Sequence, residues 1–121
     1  MTVELTLPLM PPSINELWQI AKNHKTGKAF LRRSDKYEKW RTDMIPFAKR
    51  KGCIVGPYVL TVQLQRPSAR ADIDNYAFKA INDVLADAGV IGNDCHCEML
   101  SARWVTSGEG VYVRLDPAGV E

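Results

Sequence analysis

Three carboxylates stand at the two ends of one short stretch of the chain and could together bind a metal ion. Asp72 and Asp74 flank a single isoleucine, an amphipathic run follows, and Asp94 closes the stretch behind a glycine turn. Brought together, three such side chains would repel one another at neutral pH unless protonated or neutralised by a hard divalent cation. Mg²⁺ prefers oxygen ligands of this kind. The residue types therefore favour phosphodiester hydrolysis, in which a bound metal lowers the pKa of an attacking water.

Each of these acids also has an ordinary structural explanation. Asp74 could cap a helix, and Asp72 could pair with Arg70. Asp94 could serve the Gly-Asn-Asp turn in which it lies. Spacing alone leaves both explanations open.

The basic residues are gathered in one segment of the chain. Residues 20–51 hold eleven Lys or Arg against three Asp or Glu, a net charge of +8, whereas the whole chain carries +2. Because Lys and Arg replace the counterions condensed on phosphates, this segment favours a polyanionic partner. A solvated basic helix explains the same charge. The side chains expected to contact DNA are Lys22, Lys25, Lys28, Arg32, Arg33 and Arg70.

The first third of the chain predicts one strand, a loop and a helix. Residues 3–7 alternate polar and apolar side chains and predict a strand that the following prolines end. Residues 13–33 show no period, which is typical of a flexible basic arm. From Ser34, an N-cap residue type, Tyr37, Trp40, Met44 and Phe47 recur at helical spacing. Pro46 is expected to kink this helix or end it early.

The remaining residues predict a strand, a helix and two further strands. Residues 57–67 alternate and are rich in β-branched types. A helix is expected from about Asn75 to Ala88, stopped by Gly89, with a buried stripe at Ala77, Ile81, Val84 and Ala88 beside Phe78 and Leu85. Residues 97–106 and 110–117 predict two strands joined like a hairpin by residues 107–110. The three acids then lie at strand-helix junctions, which can converge at one end of a sheet.

Length and composition limit the class of protein. The 121 residues, 45% of them apolar, suit a single α+β domain over residues 1–121, with a mixed four-stranded sheet and two main helices in the order β-α-β-α-β-β. No run of 18 apolar residues could span a bilayer, and the N-terminus lacks the features of a signal peptide. Three cysteines, an odd number, fit a reducing compartment. We therefore expect a cytoplasmic protein without a membrane partner.

Two motifs resemble a known family. The stretch RADIDNYAFKAINDVLADAGVIGND is similar to the core of the RusA family of Holliday junction resolvases, in which Asp-x-Asp-Asn opens a helix, a lysine follows, and a last Asp lies past an Ala-Gly turn. The stretch LTLPLMPPSINELW resembles the family's N-terminal strand followed by Pro-Pro-Ser-x-Asn, here Pro11, Pro12, Ser13 and Asn15. The likeness covers most of the chain.

The resemblance implies a function and a site. Such proteins are α+β homodimers that resolve four-way DNA junctions by paired, symmetric, Mg²⁺-dependent nicks in recombination and repair. Asp72, Asp74 and Asp94 would be the catalytic, metal-binding acids, and Lys79 would match the family's essential lysine. A two-fold dimer suits a junction that is itself roughly symmetric. The source would be a bacterium, or a phage or prophage within one.

The chain departs from the family pattern at two positions. Lys79 follows Asp74 by five residues instead of four, which on a regular helix turns it by about 100°. A local bulge or a shifted helix start could restore its aim, and otherwise Lys79 would be an exposed partner of Asp83. Asn93 stands where the family often has a further acid.

Two alternative functions remain open at this point. One is a non-catalytic DNA-binding or structural dimer of the same fold, in which the shifted lysine has removed the chemistry. The other is a metal-dependent nuclease that acts on flaps or other branched DNA.

Overall fold

A mixed four-stranded sheet and two helices form the centre of the fold. The computed structural model of the protein describes residues 1–76, 78–106 and 110–118. In chain order its strands and helices are β1 (Val3–Leu7), β2 (Trp18–Lys22), β3 (Ala29–Arg33), α1 (Asp35–Ala48), β4 (Tyr58–Gln65), α2 (Phe78–Asp87), β5 (Cys97–Val105) and β6 (Val111–Pro117). Short 3₁₀ turns cover Ile14–Glu16, Ile73–Asn75 and Asp94–His96.

The sheet has the strand order β1-β6-β4-β5 and encloses the core against both helices. Strand β4 pairs in parallel with β5 and antiparallel with β6, and β6 pairs antiparallel with β1. Alternate β4 residues from Tyr58 to Leu64 are fully buried, as the period of a half-buried strand requires. They pack with the buried faces of α1 and α2. The predicted α+β class, single domain and mixed four-stranded sheet are confirmed.

Helix α1 begins where the sequence predicted. The Ser34 hydroxyl accepts a hydrogen bond from the Tyr37 backbone N–H at 3.1 Å, a regular N-cap. Of the predicted stripe, Tyr37, Trp40 and Met44 are buried, but Phe47 is 45% exposed. The helix continues to Ala48, so the expectation that Pro46 ends it early is wrong. Pro46 lacks the N–H that would bond to the carbonyl of Thr42, so the helix continues past it with one backbone hydrogen bond fewer.

The prediction of a loop over residues 13–33 is wrong. Strands β2 and β3 form an antiparallel hairpin in which Ile20 faces Leu31, so two strands precede α1 that the predicted element order lacked. Its turn is closed by Asn23, whose side chain accepts from Lys25 N at 2.9 Å, and by Gly27 at φ +72°. Because both faces of this hairpin are largely exposed, no polar and apolar alternation marks it in the sequence.

The last two strands do not form the predicted hairpin. Strand β4 lies between β5 and β6, which therefore do not pair with each other. Residues 107–109 of the expected hairpin connection lie outside the described residues, as does Ala77 of the predicted α2 stripe. Helix α2 ends as predicted before Gly89, which has φ +79°. Neither α1 nor α2, the helices in the described part of the chain, is long and apolar enough to cross a bilayer.

Candidate active site

The ammonium group of Lys79 lies between two carboxylates. Lys79 is in the first turn of α2, and its Nζ is 3.0 Å from Asp83 Oδ1, one turn further along the helix. The same Nζ is 3.0 Å from Asp94 Oδ2, in the turn that leads to β5. Hydrogen bonding to Asp94, and next to Asp83, raises the pKa of Lys79. The site therefore holds a fixed cation that can donate to an anionic oxygen.

The late start of α2 accommodates the additional residue before Lys79. The helix begins at Phe78 instead of the predicted Asn75, and Tyr76 is extended with φ −101° and ψ 105°. The residue that exceeds the RusA-like spacing thus precedes the helix. A helix start shifted by one residue was one of the two expected ways to restore the aim of the lysine; the helix begins three residues later than predicted, and Lys79 donates a hydrogen bond to Asp94.

Asp94 is held at the start of its turn by its neighbour. The Asn93 side chain caps the turn by accepting from Cys95 N at 3.0 Å, which leaves the Asp94 carboxylate to Lys79. The side-chain cap of this turn is therefore Asn93, while Asp94 is the first residue of the turn itself. Asp94 keeps 37% of its side chain exposed, enough for a substrate to reach it.

Asp74 lies on the 3₁₀ turn Ile73–Asn75 and Asp72 directly precedes it, and both side chains are exposed. Neither forms an ion pair or a side-chain hydrogen bond with another described residue, so the expected pair of Asp72 with Arg70 is not found there. Asp72 precedes the turn as its N-cap but makes no side-chain capping bond. Both carboxylates therefore face solvent.

Aromatic contacts anchor the segment that carries these two acids. The Arg66 guanidinium lies 5.6 Å from the centroid of the Trp104 ring, and the Tyr76 ring meets the same indole edge-on at 5.8 Å. Arg66 also donates to the Ala71 carbonyl at 3.3 Å. Tyr76 forms an isolated β-bridge with Ser13 of the Pro-Pro-Ser segment. The two motifs that carry the family resemblance thus meet in space.

The three predicted metal ligands do not form a metal-binding group as the structure places them. Within residues 1–76, 78–106 and 110–118, no three His, Cys, Asp or Glu side chains are close enough together to hold an ion. The donor chemistry of Asp72, Asp74 and Asp94 suits a hard cation, but their positions do not. The structure brings Lys79 to Asp94 and leaves Asp72 and Asp74 on a separate turn.

Asp83 is a member of the site that sequence reasoning considered only as a surface partner of Lys79. It is 9% exposed, and its Oδ2 accepts a hydrogen bond from the Tyr37 hydroxyl on α1. The same carboxylate oxygen is 3.7 Å from the guanidinium of Arg33 at the end of β3. Burial, and then the bond to Asp83, raises the pKa of Tyr37. Only the i,i+4 spacing to Lys79 was visible in the sequence.

The predicted DNA contacts fall into two groups. Arg32 pairs with Asp35, and Arg33 lies 3.5 Å from Glu38. The others are exposed and form no ion pair within the described part of the chain: Lys22, Lys25, Lys28 and Arg70. All but Arg70 lie on the β2–β3 hairpin or in its turn.

Comparison with known proteins adds no further assignment. No protein-family model matches the chain, and no curated protein is significantly similar to it.

Proposed function

We propose that the chain is a Mg²⁺-dependent, structure-selective DNA endonuclease that acts as a homodimer and resolves four-way junctions by paired nicks. The observation that carries the proposal is the Lys79 ammonium 3.0 Å from Asp94, at the start of the helix that follows the exposed Asp72 and Asp74. The protein would work in the cytoplasm of a bacterium, encoded by the host, a phage or a prophage. The resemblance to RusA proteins and the basic hairpin support the same substrate.

The chemistry assigned to the chain's own groups is hydrolysis of a phosphodiester. A water oxygen bonds to phosphorus, the bond from phosphorus to O3′ breaks, and O3′ takes a proton from solvent as it leaves, which gives 5′-phosphate and 3′-hydroxyl ends. Lys79 donates hydrogen bonds to the oxygen on which charge develops. Asp72, exposed and unpaired among the described residues, accepts the proton of the water.

The metal requirement is a separate part of the proposal. When bound, Mg²⁺ would supply Lewis-acid stabilisation of the phosphate. Asp72, Asp74 and Asp94 have the oxygen ligands that Mg²⁺ prefers, but their positions do not form a metal site. The roles assigned to Lys79 and to the proton-accepting carboxylate therefore do not involve the ion.

A second candidate is a DNA-binding dimer without catalysis. One observation favours it: the described acidic residues form no cluster of three that could hold a metal ion. This candidate shares the basic hairpin with the first. The two differ in whether a bound junction is cut.

One assay panel tests these proposals. Labelled four-way junction, flap and duplex substrates are incubated with the protein, with and without Mg²⁺, and the products are resolved on denaturing gels. We expect symmetric nicks in the junction that depend on Mg²⁺. Lys79→Met should lower the single-turnover rate by about 100-fold, and Asp72→Asn should abolish cleavage while the junction is still bound.

Matched variants far from the site are the controls. Lys51→Met and Asp116→Asn remove the same charges from an exposed position after α1 and from the end of β6, and both should keep the parental rate. Binding without any nicking of a junction would favour the second candidate. Preferential cutting of flaps would make the protein a flap nuclease instead of a junction resolvase. An Asp72→Asn protein that cuts as fast as the parent would refute the candidate active site.

A further inference from the structure

The β2–β3 hairpin exposes large apolar side chains that no other described part of the chain covers. Among the described strands, β2 and β3 pair only with each other. Eleven large hydrophobic residues of the described chain are exposed, and four of them lie on the ten residues of these two strands: Trp18 43%, Ile20 77%, Phe30 49% and Leu31 65%. The exposed apolar surface is therefore concentrated on the hairpin. An isolated two-stranded ribbon gains little stability from such exposed groups. Their concentration indicates a surface that a partner covers.

The strand register places three of these side chains on one face. Ile20 is directly opposite Leu31, and Trp18 lies two residues before Ile20 on the same strand, so these three side chains share a face. Phe30 lies on the other face, opposite Ala21. We call the surface of Trp18, Ile20 and Leu31 the apolar hairpin face.

Charge selects the kind of partner. Residues 18–33 contain five Lys or Arg and no acidic residue, a net charge of +5. A second copy of the hairpin laid against the same face would bring two such charges together, which is unfavourable. A nucleic acid has the opposite charge. Aromatic side chains set in a basic groove stack on unpaired bases, and aliphatic side chains such as Leu and Ile insert between base steps.

We propose that the apolar hairpin face packs against unstacked nucleotides at the branch point of a DNA junction, while Lys22, Lys25 and Lys28 contact the flanking phosphates. A two-stranded ribbon is narrow enough to enter a DNA groove, and apolar side chains reach the faces of bases only where stacking is interrupted. The inference rests on the proposed function in that DNA is the partner. It adds that the hairpin recognises unpaired or unstacked bases, which phosphate contacts alone do not distinguish.

Equilibrium binding without divalent metal tests the inference independently of cleavage. The full chain is titrated with a fluorescent four-way junction and with a fully paired duplex over a range of salt concentrations. Ile20→Thr/Leu31→Thr keeps β-forming residues in both strands, and we expect it to weaken junction binding by about tenfold or more. The dependence of its affinity on salt should be unchanged.

A charge variant and a matched apolar variant complete the design. Lys25→Gln/Lys28→Gln should reduce the slope of log affinity against log salt by about 2. Met99→Thr/Leu100→Thr removes two similarly exposed apolar side chains from β5 and should bind like the parent. Ile20 is the most exposed of the hairpin positions, so the single variant Ile20→Thr should stay folded. Weaker junction binding by this single variant would show that the loss of affinity does not come from unfolding.

Three results would overturn the inference. The first is that Ile20→Thr/Leu31→Thr binds the junction as tightly as the parent. The second is that the parent binds vesicles of anionic lipid through this face while DNA binding is unaffected. The third is that the variant loses only self-association. If junction binding depends on the face but no substrate is cut, the inference stands and the nuclease proposal fails.

Discussion

Replacing Asp83 by Asn tests the buried network that holds Lys79. Asp83 is nearly inaccessible, accepts a hydrogen bond from the Tyr37 hydroxyl, and pairs with the ammonium of Lys79 at 3.0 Å. Asparagine keeps the size of the side chain and one acceptor oxygen, which can face the Tyr37 hydroxyl, but it removes the charge and the second acceptor. The substitution therefore changes electrostatics while leaving the packing between α1 and α2 nearly intact.

The expected loss follows from these contacts. A hydrogen bond to a charged group stabilises a protein by about 1.5–3 kcal/mol and one to a neutral group by about 1 kcal/mol, so the bond from Tyr37 weakens by about 1 kcal/mol. The partly exposed helical ion pair with Lys79 contributes about 0.3–0.5 kcal/mol more. Asp83→Asn should therefore lower the free energy of unfolding by about 1.5 kcal/mol.

Urea denaturation of a double-mutant cycle measures this loss. Asp83→Asn, Tyr37→Phe and the double variant should show a coupling energy of about 1 kcal/mol, since the two groups share one hydrogen bond. Asp43→Asn, on α1, removes an exposed pair with Lys39 and should cost less than about 0.5 kcal/mol. If Asp83→Asn costs no more than Asp43→Asn, or if the single effects simply add, the reasoning about the buried carboxylate is refuted.

The same variant has a second readout at Lys79. Because hydrogen bonds to Asp94 and to Asp83 both raise the pKa of Lys79, Asp94→Asn and Asp83→Asn should each lower that pKa. Nuclear magnetic resonance of the lysine side-chain nitrogen follows the titration directly. A pKa of Lys79 that stays unchanged in either variant would contradict the ion pair with that acid.

Two further predictions concern stability. Burial raises the pKa of Tyr37 and Tyr58, so both phenols stay protonated in the folded chain while they ionise in the unfolded chain above about pH 10. The free energy of unfolding should therefore fall above that pH. Tyrosinate absorbance that shows both phenols ionising in the native protein would contradict this prediction. Gly89 has φ +79° and open space at its Cβ position, so Gly89→Ala should cost about 1 kcal/mol in urea denaturation. Gly92 also has open space but no positive φ, and Gly92→Ala should be nearly neutral; equal costs would refute the conformational argument.

The sequence predicted the elements that pack one face on the core. Strand β4 and helix α1 show the period of their buried faces, and both were found where the pattern placed them. The β2–β3 hairpin has no buried face, so its sequence shows no such period. The order of strands in the sheet was equally hidden, because β4 lies between two strands that a short connection suggested would pair.

The candidate site was predictable only where its residues are close in the chain. Spacing marked Lys79 and its neighbour Asp83, and the Ala-Gly turn marked Asp94. Whether Lys79 and Asp94 would lie in contact depended on the residue at which α2 begins. A sequence pattern predicts the ends of helices and strands less well than their presence. Whether Asp72 and Asp74 join them is a matter of tertiary placement, which no local spacing encodes.

Arg33 connects the β2–β3 hairpin to the candidate active site around Lys79. It is the last residue of β3, and its guanidinium lies 3.7 Å from the carboxylate of Asp83, which in turn holds Lys79. The hairpin proposed to contact branched DNA and the lysine proposed to contact the scissile phosphate thus share one buried carboxylate. In a site of low dielectric, a change in one partner of such a group alters the strength of the other bonds. Arg33→Gln should therefore shift the pKa of Lys79 although the two side chains do not touch, whereas Arg32→Gln, whose partner is the exposed Asp35, should leave it unchanged.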